Sequence, residues 1–170
     1  MLKAFLTENR ETIVERWTQR VFESYPQKSS RFLGSRKDRF ANPVGYTIST
    51  EVSNLFDQLI GEMDRERILV SVDNILKIRA VQDFSPGQAV EFCFALKSVV
   101  RSLLMQSSPD KDMLSDLLEF ESRIDSLSLF AFETYMNCRE RIHQIRTKEI
   151  KMRSVQMADR SDSGDAEAQK

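Results

Sequence analysis

Apolar residues recur at helical spacing along most of the chain. Leu6, Ile13, Val14, Trp17, Val21 and Phe22 share one face of a first predicted helix over 2–25, with a kink expected near Thr7–Asn9. Pro26 ends it, because the residue before a proline is pushed out of the α region. A second helix opens at "ANPVGYTIST", with Asn42 as N-cap and Pro43 in the first helical position. Its buried stripe is Ile48, Val52, Leu55, Phe56, Leu59 and Ile60, and Gly61 is expected to close it in a left-handed cap. A third helix starts at Asp64 and carries Ile68, Leu69, Val72, Ile75, Leu76 and Val81 on its core side.

The segment "RAVQDFSPGQAV" joins this helix to the next. Ser85, Pro86 and Gln88 have the spacing of a capping box with proline at the first helical position. The helix that follows, "AVEFCFALKSVVRSLL", is apolar on nearly every side until Lys97, so it is expected to be buried and central. "SSPD" repeats the start signal, with Ser108 as cap, and opens a last helix over about 109–158. Unbroken, that helix would be about 75 Å long, against a radius of gyration of roughly 15 Å for such a domain. It is therefore expected to project as a stalk. Leu114, Leu117, Leu118, Ile124, Leu127 and Phe130 are its core residues, and beyond them the stripe thins to Tyr135, Cys138, Ile142, Ile145 and Met152, the spacing of a helix–helix seam. Residues 159–170 are small and polar and are expected to form a disordered tail.

The chain has 170 residues, 5 glycines and 4 prolines, which suits one helical domain at 1–158 with few turns. A net charge of -1 argues against a general affinity for nucleic acid. Two local patches are basic: Lys28, Arg31, Arg36, Lys37 and Arg39 against Asp38, and the flanks of the last helix over 139–153. Both are read as solvated surface, the first as a loop pinned by Phe32, Leu33 and Phe40, the second as a favourable match to the helix dipole. The longest apolar run, near 89–96, is too short to span a bilayer, and the first residues turn charged too soon for a signal peptide. A cytoplasmic protein without membrane insertion is expected. Cys93 and Cys138 lie in apolar helical surroundings without metal-type spacing.

The motifs of phosphate loops, dinucleotide turns, zinc proteases and serine hydrolases are all missing. The one histidine, His143, lies in the charged part of the last helix, and one ExxH pair is half of what a di-metal bundle needs. No catalytic residue, metal ligand or cofactor is therefore expected, and the chain is read as a non-enzyme. A candidate ligand pocket is placed between Trp17 and the joint residues Arg79, Asp83, Phe84 and Ser85, against the central helix. A candidate dimer interface is placed at Tyr135, Cys138, Ile142, Ile145 and Met152.

Three stretches carry a family likeness: "ENRETIVERWTQRVFESYP", "ILKIRAVQDFSPGQAVEFCFALKSVVR" and "FESRIDSLSLFAFETYMNCRERIHQIRTKEIKMR". They resemble the N-terminal domain of RsbT co-antagonist proteins of the RsbRD type, over about Leu2 to Arg153. The resemblance implies an all-α, globin-like sensor domain that binds no haem, dimerises through helices and leads into a phosphorylatable STAS domain of the stressosome. The 170 residues leave no room for a STAS domain, so kinase capture does not carry over. What carries over is a sensory, regulatory or scaffolding module acting in stress signalling through a homodimer and contacts with other signalling proteins. A small-molecule or cofactor carrier on a globin-like fold is the alternative.

Overall fold

Asn42 shows how locally the chain sets its helices. In the computed structural model its Oδ1 accepts from Gly45 N–H at 2.9 Å while its Nδ2 donates to the Leu33 carbonyl at 2.8 Å. A Cβ on Gly45 would stand 2.7 Å from that same carbonyl, so only glycine admits this close approach. The structure describes residues 1–26, 29–30, 33–34, 40–82 and 84–167, the last ten of these as backbone only. The basic residues of the first patch lie outside the described residues, and so does Asp83.

Every regular element among the described residues is a helix. They are α1 (Leu2–Glu8), α2 (Arg10–Glu23), α3 (Pro43–Ile60), α4 (Arg65–Val81), α5 (Pro86–Gln106) and α6 (Lys111–Glu167). The all-helical class and the long C-terminal helix are as the sequence predicts. The kink in the first helix is a full break at Asn9, whose Nδ2 donates back to the Phe5 carbonyl instead of capping α2. The capping box at Ser85 forms as expected, with Gln88 N–H on Ser85 Oγ and Ser85 N–H on Gln88 Oε1.

Three helix termini differ from expectation. Gly61 has φ −96°, and Met63 takes the positive φ of 56° instead. Gly61 is needed for space, since a Cβ there would lie 2.9 Å from the Asp57 carbonyl. Ser108 and Pro109 precede α6 without opening it; Asp110 Oδ1 accepts from Met113 N–H at 2.7 Å, and the helix starts at Lys111. At its far end α6 continues to Glu167, past the end expected near 158 and through most of the segment expected to be a disordered tail. No proline follows Pro109, so nothing removes a backbone donor from that stretch.

The chain divides into two compact units, Met1–Met136 and Asn137–Lys170. In the first, α3 packs along α4, and α2 lies against α5 and α3. Its core contains Ile13, Trp17, Val52, Phe56, Ile75, Phe92, Leu96, Ile124 and Leu127. Lys97 bonds Asp125 at 2.6 Å and Arg101 grips Glu121 in a two-pronged pair, which ties α5 to the first half of α6 in antiparallel register. Arg123 donates to the carbonyls of Leu59 and Gly61 and so anchors the end of α3. The second unit is the remainder of α6.

Two expectations about the core are corrected. α5 is not buried all round, because Phe94 and Met105 are about half exposed. On α6, Leu118 is 69% exposed while Glu121 is buried. The Arg101 pair makes a buried carboxylate tolerable, and the helix turns its Leu117, Phe120 and Ile124 side inward instead.

Candidate ligand site and interaction face

Arg79 lies where the stripe of α4 continues. Val72, Ile75 and Leu76 set the buried side, and Arg79 follows at i+4 and i+3 from the last two. It is fully buried, whereas Val81, expected in the core, is exposed. Three aromatic rings surround the guanidinium: its central carbon lies 4.9 Å from the Phe84 ring centre and 5.3 Å from those of Tyr25 and Phe92. Such a cage stabilises a cation through the negative ring faces, most strongly when water is excluded. Arg79 Nη1 donates to the Gln88 carbonyl at 2.8 Å and Nη2 to Ser24 Oγ at 2.9 Å. Its Nε–H has no partner, and no carboxylate among the described residues pairs with it. Desolvation holds its pKa below the usual arginine value.

Tyr25 is the second unusual group. It is buried, its ring meets Phe84 edge-on at 5.0 Å, and its hydroxyl is closed off from solvent beside the Arg79 guanidinium. Desolvation raises its pKa, partly offset by the Arg79 charge. Ser24, Tyr25, Phe84 and Gln88, all in contact with Arg79, line a cleft of about 440 Å³ together with Pro26, Ser29 and Gln82. The buried Arg79 charge thus sits directly behind the wall of this cleft.

Of the five sequence-predicted pocket residues Phe84 lines this cleft, and Asp83 lies outside the described residues. Phe84 stacks on Arg79, and Ser85 caps α5 beside it. Trp17 stands one layer deeper: its Nε1–H donates to the Phe92 carbonyl at 2.7 Å, and its ring stacks on Phe92 at 6.3 Å. It is linked to Arg79 through Phe92 and does not line the cleft. Sequence reasoning missed Ser24, Tyr25, Gln82, Gln88 and Phe92. Tyr25 had a signal, as an aromatic next to the helix-ending Pro26.

The residues of the expected dimer seam divide. Tyr135 is fully buried in the first unit, with its hydroxyl donating to the Phe84 carbonyl, and is committed to the chain's own core. Cys138 is buried and Ile142 half-buried, whereas Ile145 and Met152 are 58% and 62% exposed. In the second unit Ile150, Val155 and Met157 are exposed as well. In the first unit Leu118, Leu129, Phe132 and Met136 form another exposed line on one side of α6. His143 is exposed.

Other features offer less chemistry. A larger cleft, about 580 Å³, runs between α2 and α3 past Val14, Phe22 and Tyr46, with Arg10 held at its edge by Asp57. Cys93 is fully buried, and desolvation pushes its thiol up to about 12. Native protein at neutral pH is therefore expected to leave Cys93 unmodified by a thiol reagent, with labelling only on unfolding; mass mapping of the labelled peptides checks this. Among the described residues no group of three or more histidine, cysteine or acidic side chains could hold a metal ion. No helix among them is long and apolar enough to cross a membrane.

Comparison with known proteins adds a family. The model of the RsbT co-antagonist protein rsbRD N-terminal domain matches residues 11–150. A protein of Archaeoglobus fulgidus, itself described as uncharacterized, is 24% identical over 147 residues, which span 83% of this chain and 84% of that one. No solved structure matches the chain.

Proposed function

We propose a regulatory role from one premise: the chain belongs to the family of the RsbT co-antagonist protein rsbRD N-terminal domain. In this reading it is a non-enzymatic, globin-like sensory or scaffolding module of cytoplasmic stress signalling. It acts as a homodimer and through contacts with other signalling proteins. The observation that carries the reading is the unpartnered apolar line on α6. Ile145 and Met152 are seven residues apart and mostly exposed, the spacing of a helix–helix seam. Large apolar side chains left in water along one helix face mark an interaction surface.

We take the interface to lie at Ile145 and Met152 with the half-buried Ile142, and leave out Tyr135 and Cys138 because both are buried in the chain's own fold. Replacing Ile145 and Met152 together with aspartate is expected to give a folded monomer, since neither side chain contributes to the core. Native mass spectrometry alongside circular dichroism reads both properties. A variant that stays dimeric would overturn the seam.

A further inference from the structure

We infer that one face of α6 in the second unit docks an acidic amphipathic helix of a partner protein. The face is Arg146, Ile150, Arg153 and Met157, spaced four, three and four residues apart. It lies roughly a quarter turn around the helix from Ile145 and Met152. It is therefore distinct from the proposed dimer seam and stays at the edge of a dimer formed there.

Apolar exposure is the first argument. Ile150 and Met157 are 66% and 73% exposed and have no place in the seam stripe. Large apolar side chains repeated on one helix face suit a second helix laid along it. Charge is the second argument. Two arginines alternate with the apolar residues. The acidic residues of 137–157 are Glu140 and Glu149; Glu149 falls in the seam stripe and Glu140 towards the back of the helix. The helix dipole does not account for these arginines. α6 runs on to Glu167, about four turns past Arg153, and the dipole acts within the last turn. The residue types supply the third argument. An arginine fork pairs two-pronged with a carboxylate. Glutamates seven residues apart on a partner helix would meet Arg146 and Arg153, and apolar residues between them would meet Ile150 and Met157. A membrane surface calls for basic and apolar residues segregated to opposite sides, and a single-stranded nucleic acid calls for aromatic rings. This face interleaves arginine with aliphatic residues and carries no ring.

The test titrates the whole 170-residue chain calorimetrically with a synthetic helical peptide of about three heptads, leucine along its seam and glutamate on both flanks. The peptide is expected to bind saturably and to weaken at about 0.5 M sodium chloride, while its lysine-for-glutamate counterpart does not bind. Arg146→Gln with Arg153→Gln, and separately Ile150→Ser with Met157→Ser, should each weaken binding about tenfold and leave the native mass spectrum as in the parent. Lys148→Gln with Lys151→Gln removes the same charge from another face and should change the affinity less than about twofold. An equal loss there would reduce the effect to general attraction and overturn the face, as would the absence of saturable binding. Tighter binding to vesicles of phosphatidylserine and phosphatidylcholine in equal parts, or to a thymidine oligonucleotide, would overturn the helical partner. Ile145→Ser with Met152→Ser separates this face from the seam. Peptide binding should persist in that variant; its loss would place the peptide on the seam and overturn the inference. If the variant stays dimeric and still binds the peptide, the dimer reading alone fails.

Discussion

Trp17→Ala is expected to lower the free energy of unfolding by about 3–5 kcal/mol, enough to unfold much of the protein under mild conditions. The indole is fully buried between α2 and α5, where it stacks on Phe92 and donates to the Phe92 carbonyl. Alanine removes the ring and leaves a cavity that two packed helices close only in part. Trp17→Phe separates the contributions. It keeps most of the apolar surface and loses the N–H, so a cost of about 1–2 kcal/mol is expected. Urea unfolding followed by circular dichroism measures both variants without relying on tryptophan fluorescence. A cost below about 1 kcal/mol for alanine would mean that Trp17 does not hold α2 against α5.

How much of this was legible in the sequence depends on the distance over which each feature is decided. The caps at Asn42, Asp64 and Ser85 were readable because the atoms that satisfy them lie within three residues. The stripes of α2 and α3 were readable because a 3.6-residue period is a local property. Gly61 was assigned to a cap for its conformational freedom, and the structure uses its small size instead. That distinction depends on where the Asp57 carbonyl falls, which periodicity does not show.

Arg79 and Glu121 mark the limit of pattern reading. Hydropathy sends both outward, yet both are buried, while Val81 and Leu118 beside them are exposed. In each case the compensation is remote in sequence. Arg79 relies on Tyr25 and Ser24 at the end of α2 and on Phe92 in α5. Glu121 relies on Arg101. A charge is buried only where a partner offsets its desolvation, and the partner is set by packing. The joint around Arg79 therefore looked from sequence like a capped turn with a pocket possible beside it, and Tyr25, whose ring packs against the guanidinium, was not part of the reading.

Arg79→Ala is expected to destabilise the protein by about 3–5 kcal/mol, and Arg79→Met by far less. Alanine empties the space among three rings and strips the Gln88 carbonyl and Ser24 hydroxyl of their buried donor. Methionine refills most of that space with a flexible apolar chain and removes a cation whose desolvation counts against the folded state. The Gln88 carbonyl loses one bond in either variant, so the difference between them isolates packing from charge. If the two variants were equally unstable, the hydrogen bonds rather than the filled cage would hold the joint together. Equal stability of Arg79→Met and the parent would have a sharper meaning: the fold does not need the charge that it encloses.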